Sequence, residues 1–267
     1  KHKKGQPVHE LPASLKQAIR HFVLSRAIRN IRGQSDQHST MMVNVSRFVD
    51  VQQQIRNLIV DHMEMTTNRL RYHCNLPYNK ALGDLVVREF FADFQSEYGE
   101  LEPKIGWADV QGALVDATES VQVYTVNSGS MDTLDYAGYS REGKPLTAIA
   151  VGGLALSRGL TLEGLTISYV YRNSTMYDTL MQMGRWFGYR DGYIDLCRIW
   201  MSEESIGWYA HIAEAIEELR ARLKHMQRIG KKPSDFGLFV RAHPDALIVT
   251  ALNKMRYTEN LDLRVSY

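Results

Sequence analysis

Short apolar segments alternate along this chain with segments of helical periodicity, and that alternation constrains the fold most strongly. The strand-like segments are residues 40–45, 120–126, 147–151, 166–171 and 193–201. They are apolar runs or alternating, β-rich stretches of the kind that form buried strands. Strands that alternate with helices are typical of a parallel sheet covered by helices on both faces. The sequence therefore predicts an α/β fold.

Helical periodicity predicts the segments between and after these strands. The predicted helices cover residues 14–31, 79–94, 108–117, 175–187 and 204–229, with a further long helix from residue 51. Ser14 is expected to cap the first helix, whose polar face carries Arg20, Arg26 and Arg29. Residues 128–144 are rich in Gly, Ser and Asp and are predicted to form a loop, and residues 246–252 are a candidate strand.

The composition excludes several classes of protein. A hydrophobic content of 44% supports a sizeable core and argues against disorder. The chain has two cysteines, Cys74 and Cys197, and no CxxC, so we expect no disulfide framework and a cytoplasmic location. No apolar stretch reaches the ~18 residues of a membrane span. The net charge of +2 does not by itself indicate nucleic acid, and the start without Met is expected of a piece of a longer protein.

A first group of candidate functional residues follows the predicted strand 147–151. Ligands of parallel sheets bind beyond the carboxyl ends of the strands, where this group is expected to lie. The group consists of Gly153, Ser157, Arg158, Gly159 and Glu163. Gly159 can adopt backbone conformations closed to other residues, and Glu163 can accept a hydrogen bond from a ribose or an arginine. The alternative is a strand-to-helix turn with a solvated arginine and a surface glutamate.

A second group follows the predicted strand 166–171. It consists of Gln182, Gly184, Arg185, Gly188 and Arg190. An arginine can bind phosphate bidentately and supply positive charge to a phosphoryl-transfer transition state, and glycines let the backbone approach closely. The alternative is an aromatic core helix with arginines at its C-terminus. The two groups together predict guanidinium groups and glycines at one end of the sheet, equipped to handle phosphate.

These two groups resemble motifs five and six of superfamily-two helicases, a Ser/Thr-x-Arg-Gly turn followed by Gln-x-x-Gly-Arg-x-x-Arg. Here the turn is Ser157-Arg158-Gly159, and the second motif begins Gln182-Met183-Gly184-Arg185. The longer run GGLALSRGLTLEGL…YDTLMQMGRWFGYR, together with LPASLKQAIRHFVLSRAIRNIRG near the start, resembles the Z1 domain, a bacterial family that carries an endonuclease label.

The resemblance implies a RecA-like fold and the second motor half of a DNA-dependent ATPase in a restriction or phage-defence system. Arg185 or Arg190 would be the arginine finger, Gln182 would sense nucleotide, and Arg158–Gly159 would couple nucleotide to DNA. Arg190 lies five residues after Arg185, whereas the helicase pattern has three, so the identity of the finger stays open.

The resemblance also implies cofactors, partners and domain limits. ATP and Mg²⁺ would bind mainly to an upstream RecA-like domain, because this chain has no GxxxxGK[ST] loop. DNA and a separate nuclease subunit are the other expected partners. Residues 1–36 are predicted as a basic arm and helix, residues 37–202 as the RecA-like domain with a helical insertion at about 76–117, and residues 203–267 as a helical extension.

Two other functions compete with the motor half. One is a non-catalytic nucleic-acid-binding or scaffolding domain, with basic surfaces at residues 1–4, at the Arg20/Arg26/Arg29 face and at residues 228–232. The other is a stand-alone metal-dependent endonuclease, which needs two carboxylates and a lysine. Its only candidates are Glu102–Lys104 with Asp84 or Asp93, and Glu142–Lys144 with Asp132 or Asp135; neither tripeptide lies on a convincing predicted strand.

Overall fold

A computed structural model describes residues 5, 7–101, 103–127, 134–157, 160–171, 177–185 and 188–230. The strands are β1 (Ser39–Asn44), β2 (Val121–Val126), β3 (Thr147–Gly152), β4 (Leu165–Val170) and β5 (Arg198–Met201). The longer helices are α1 (Ala13–Ile31), α2 (Val49–His73), α4 (Leu85–Tyr98), α5 (Trp107–Glu119) and α8 (Glu203–Arg228). The shorter helices are α3 (Tyr78–Ala81), α6 (Tyr136–Arg141) and α7 (Tyr177–Met183), and 3-10 turns cover Leu154–Ser157 and Ile194–Leu196.

All five strands form one parallel sheet in the order β2-β3-β1-β4-β5. Every residue of β1, β3 and β4 is buried, as expected for strands whose sequences are continuous apolar runs. The sheet is flanked by helices, so the predicted α/β class and the parallel sheet are both confirmed.

One core joins the sheet to five of the helices. Alternate residues of the three central strands contribute to it, because successive side chains of a strand point to opposite faces. From β1 these are Met41 and Val43, and from β3 Ile149 and Val151. Buried apolar residues of α1, α2, α4 and α5, and Ala81 of α3, belong to the same cluster. This packing fixes the direction in which α2 leaves β1, and so the position of the α2 N-terminus.

Several predicted helix limits are wrong. Ser14 does not cap α1, because the N-cap is Pro12, and the Ser14 hydroxyl instead lies 3.0 Å from that of Tyr169. The predicted helix 79–94 is divided into α3 and α4, because the Asp84 carboxylate accepts from the backbone N–H groups of Val86 and Val87 and starts a new helix.

Other differences lie later in the chain. The predicted loop 128–144 contains helix α6, which Asp135 caps by accepting from the N–H of Gly138. The predicted strand 193–201 is shortened to β5, because a 3-10 turn occupies Ile194–Leu196. Helix α7 ends at Met183, so the predicted helix 175–187 is too long at its C-terminal end. The candidate strand 246–252 lies outside the described residues.

The chain divides into two compact units. The first comprises residues 1–172 and 184–201, and therefore contains the whole sheet. The second comprises residues 173–183 and 202–267; within it Leu180 packs against Trp208 and Ile212, and the Tyr209 hydroxyl donates to the Leu180 carbonyl at 2.6 Å. The domain limits expected at residues 36 and 202 stay predictions. Of the helices that the structure describes, none has the length and apolar character needed to cross a bilayer.

His21 is a buried titratable group of the core and makes stability depend on pH. Its Nδ1 atom lies 3.0 Å from the Tyr98 hydroxyl, and its ring lies 5.1 Å from that of Trp200. Burial lowers the pKa of His21 to about 4, although Asp93 opposes this. Burial also lowers the pKa of His62 to about 4. Both imidazoles are therefore neutral in the folded protein at pH values where the unfolded chain is protonated.

We expect stability to fall as the pH is lowered from about 6.5 to about 4, because the unfolded chain binds more protons in that window. Each histidine contributes a slope of up to about 1.4 kcal/mol per pH unit. His21→Phe keeps the ring packing and should remove about half of this slope. Urea denaturation at a series of pH values measures it, and His9→Phe, at an exposed position, is the control. An unchanged slope in His21→Phe would contradict the assignment.

Candidate functional site

The carboxyl edge of the sheet, where Asn44, Gly152 and Val170 end neighbouring strands, is the candidate functional site. β2, the strand that follows β1 in the chain, lies on one side of the β1–β4 pair. β5, the strand that follows β4 in the chain, lies on the other side. Strand order therefore reverses between β1 and β4, and ligands of open α/β sheets bind at such a point. The Tyr171 N–H donates to the Asn44 carbonyl at 2.9 Å and holds the two strand ends together.

Gly152 ends β3 at this edge and Gly153 follows it, and no side chain fits at either position. A Cβ atom on Gly152 would collide with the Val126 carbonyl and would lie 2.9 Å from Cγ of Leu156. A Cβ atom on Gly153 would lie 2.8 Å from Nε2 of Gln52 and 2.9 Å from the Ser46 carbonyl oxygen. Gly153 therefore allows close backbone approach, and the group approached is the neighbouring β1–α2 turn.

The turn between β1 and α2 presents polar groups at the same edge. The Ser46 hydroxyl accepts from the Phe48 N–H at 3.2 Å, which bends the chain into the helix. Arg47 is exposed, with its guanidinium carbon 4.8 Å from the centre of the Phe48 ring. Among the described residues, no side chain caps the N-terminus of α2, a helix of 25 residues. Free N–H groups and the helix dipole make such an end favourable for anions.

Two buried amide side chains lie at the same edge. Asn44 is fully buried, and neither polar atom of its side chain has a hydrogen-bond partner among the described residues. Gln52 is 2% exposed; its Nε2 atom donates to the Ser46 carbonyl at 2.9 Å, while its Oε1 atom has no partner within the same part of the chain. Buried polar groups normally find partners, so the carboxyl edge carries an unusual amount of unmet hydrogen-bonding capacity.

Arg190 lies at the opposite edge of the sheet. Its Nε atom donates to the carbonyl of Leu165, the first residue of β4, at 3.2 Å, and its other nitrogens donate to the carbonyls of Tyr189 and Arg185. A six-residue strand spans about 17 Å, so Arg190 and Gly153 are separated by the length of the sheet. The prediction that these arginines and glycines share one end is therefore wrong for Arg190, and the Arg185 carbonyl, which the same guanidinium reaches at 3.0 Å, lies near the amino edge with it. The physical reason is chain direction: a parallel connection must return to the amino edge before β5 begins.

The guanidinium of Arg185 makes fewer hydrogen bonds to the described residues than that of Arg190. Within the described residues its guanidinium makes one hydrogen bond, from Nη2 to the Leu160 carbonyl, and the side chain is half-buried. Gly184 is buried directly after α7, and Gly188 is exposed with φ of 121°. A side chain is strained at that φ, so the backbone turn between the two arginines requires a glycine.

The structure describes some of the remaining predicted site residues and not others. Gln182 is exposed on α7, in the second unit. Glu163 lies at the amino edge, where its carbonyl accepts from the Thr40 hydroxyl at 2.6 Å. Ser157 ends the 3-10 turn that follows Gly153, and its side chain is not described. Arg158 and Gly159 lie outside the described residues.

The predicted basic face of α1 is not a surface. Arg26 and Arg29 are 3% and 1% exposed, and Arg20 is paired with Glu89 and Asp93. Arg26 donates to the carbonyls of Ser35 and Gln37. Burial, and then the charge of Arg29, lowers the pKa of Arg26 to about 10. Arg26 and Arg29 bind the loop before β1 and Arg20 binds α4, so the interpretation of this face as a nucleic-acid contact is wrong.

The acidic candidates for an endonuclease site have other partners. Asp84 caps α4 and accepts from Arg69 at 2.9 Å, and Asp93 accepts from Arg20 at 2.6 Å. Asp135 caps α6. Glu102 and Asp132 lie outside the described residues. In the part of the chain that is described, no three His, Cys, Asp or Glu side chains converge as metal ligands would.

The sequence interpretation did not single out Asn44 or Gln52. Asn44 interrupts an otherwise apolar strand, and a polar residue at the last position of a central strand is the signal that could have identified it. Gln52 has no comparable signal, because its partner Ser46 lies in a turn and Gly153 lies about 100 residues away.

The fold and its edge define an α/β protein with a five-stranded parallel sheet and a candidate site at the carboxyl ends of β3, β1 and β4. The family model of the Z1 domain matches residues 14–247 of the 267 residues. The chain therefore belongs to the Z1 domain family, as the motifs within residues 152–190 predict. No significant match was found among curated proteins or among solved structures.

Proposed function

We propose that this Z1 domain is the second, RecA-like half of a DNA-dependent ATPase, acting in a cytoplasmic restriction or phage-defence system. An upstream RecA-like domain of the same gene product supplies the loop that binds ATP and Mg²⁺, because this chain has no GxxxxGK[ST]. A separate nuclease subunit cuts the DNA. The reaction is phosphoryl transfer to water, to which this half contributes charge and DNA contacts.

The carboxyl edge is the observation that carries this proposal. Arg47 and the uncapped N-terminus of α2 offer positive charge and N–H groups to a phosphate. Tyr171, 57% exposed at the end of β4, offers an aromatic ring on which a base can stack. Asp50, in the first turn of α2, accepts from the Gly5 N–H at 2.7 Å, and its negative charge opposes the binding of a phosphate at this end of the helix. Phosphate and stacking contacts of this kind bind single strands without sequence preference.

Arg185 is the better candidate for the arginine finger. The guanidinium of Arg190 donates to three backbone carbonyls, so its role is to hold the turn between the arginines against β4. The guanidinium of Arg185 makes one such bond among the described residues and retains donors for a phosphate. We therefore assign Arg185 to the nucleotide and Arg190 to the support of its backbone.

Arg47→Ala should weaken the binding of single-stranded DNA about fivefold, and Arg47→Glu more strongly, because one phosphate contact is lost or repelled. The slope of log affinity against log salt should become shallower by about 0.7. Fluorescence anisotropy with a labelled oligonucleotide measures both quantities. Arg56→Ala, on α2 but away from its N-terminus, is the matched control and should bind like wild type.

Different outcomes separate the competing functions. Unchanged binding by both Arg47 variants would remove the carboxyl edge from the DNA contact. DNA binding without ATP hydrolysis by the complete gene product would favour the non-catalytic binding domain. Metal-dependent DNA cleavage by this chain without ATP would favour the stand-alone endonuclease.

A further inference from the structure

We propose that Gln52 is a positioning residue that joins the β1–α2 turn (residues 45–48) to the β3 exit (residues 152–157). A ligand bound to one of these segments then changes the position of the other segment. The inference rests on the proposed function for its ligand, DNA, but the contacts that carry it are independent of that function. Gln52 belongs to neither segment; it lies in the first turns of α2 and reaches both.

Three groups are packed together at this junction. The Gln52 amide donates to the Ser46 carbonyl at 2.9 Å, and Gly153 lies directly against both of these groups, with no space for a Cβ atom. Gln52 is 2% exposed and Ser46 is 4% exposed, so solvent does not separate them. A movement of either segment by the width of a methyl group must displace the amide of Gln52.

The hydrogen bonding of Gln52 favours positioning over simple stabilisation. Its Oε1 atom is buried without a partner among the described residues, which costs free energy. Rotation of the amide would place Oε1 against the Ser46 carbonyl oxygen, so the orientation with Nε2 toward Ser46 is fixed. An apolar residue would fill the same space without a buried unsatisfied oxygen. It would leave the Ser46 carbonyl without its donor.

The consequence is a link between two functional segments. Ser46 immediately precedes the exposed Arg47, and its hydroxyl accepts from the Phe48 N–H, so fixing Ser46 fixes the direction of Arg47. Gly153 immediately precedes the 3-10 turn Leu154–Ser157, which leads into Arg158 and Gly159. Coupling through a shared contact is reciprocal, so a change at either segment should appear at the other.

Amide hydrogen exchange on the full chain tests the link without DNA. Gln52→Met keeps the volume and removes the donor, and should speed exchange about fivefold in residues 153–157 as well as in residues 46–51. Gly153→Ala should speed exchange in residues 46–51, about 100 positions away. The exposed Gln95→Met variant is the control. Acceleration confined to the segment adjacent to each substitution would overturn the inference.

Oligonucleotide binding then connects the link to function. Gln52→Glu keeps the shape and places an oxygen against the Ser46 carbonyl. It should weaken single-stranded DNA binding about as much as Arg47→Ala, and the double variant should be no weaker than either. Additive losses would overturn the positioning role. If exchange shows the link but the wild-type chain binds no DNA, the proposed function fails and the positioning role stands.

Discussion

Arg185→Ala should lower DNA-stimulated ATP hydrolysis by the complete gene product about 10³-fold or more, with the affinity for ATP nearly unchanged. An arginine finger stabilises charge that develops only in the transition state, so its loss reduces kcat rather than binding. Steady-state turnover with saturating DNA measures kcat, and a fluorescent nucleotide measures affinity. Arg185 fits this role because, among the described residues, its guanidinium makes one hydrogen bond, to the Leu160 carbonyl.

Arg190→Ala is the matched comparison for this experiment. It removes three hydrogen bonds to backbone carbonyls, so we expect a lower unfolding temperature and a smaller loss of kcat than in Arg185→Ala. The reverse order of the two kcat losses would make Arg190 the finger. Wild-type turnover in Arg185→Ala would remove Arg185 from the mechanism, and no DNA-stimulated turnover in the wild type would contradict the motor half.

The three central strands could be predicted because a short run of apolar residues indicates a buried strand. Residues 40–45, 147–151 and 166–171 are apolar runs, and all three match fully buried strands. Their order could not be predicted, because β1 pairs with β3 and β4, neither of which is next in the chain. The order decides which strand ends meet, and it places Asn44 beside Gly152.

Arg190 was misplaced because motif spacing carries no direction. Arg190 and Gly153 are 37 positions apart in the sequence, and only the return of the chain to the amino edge before β5 separates them in space. Gln52 could not be predicted for a related reason. It packs against Gly153 and so joins two turns that are far apart in the sequence. Such a contact forms only when the strands have paired in their order in the sheet.

The arginines of α1 are an exception to the rule that charged side chains lie at the surface. Helical periodicity places Arg26 and Arg29 on the polar face of α1, and this face is expected to be exposed because buried arginines are rare. The loop before β1 reverses that assignment by supplying carbonyl and amide oxygens at the end of the helix. Arg29 donates to Gln34 Oε1, Gln37 Oε1, the His38 carbonyl and Ser39 Oγ.

Arg29→Ala should therefore reduce the free energy of unfolding by about 3 kcal/mol or more, because it leaves several buried acceptors without donors. It also removes a guanidinium that lies 4.3 Å from the centre of the Tyr193 ring. Arg29→Lys should be intermediate, since lysine keeps a positive charge but lacks the planar fork that reaches several acceptors. Urea denaturation at pH 7 measures the three stabilities.

The control separates this structural role from binding to nucleic acid. Arg88→Ala removes an exposed arginine of α4 and should change stability by less than about 0.5 kcal/mol. If Arg29→Ala were as stable as Arg88→Ala yet bound DNA more weakly than wild type, Arg29 would belong to an exposed basic face after all. Loss of stability with DNA affinity retained in the folded fraction would leave Arg47, at the carboxyl edge, as the arginine that contacts the strand.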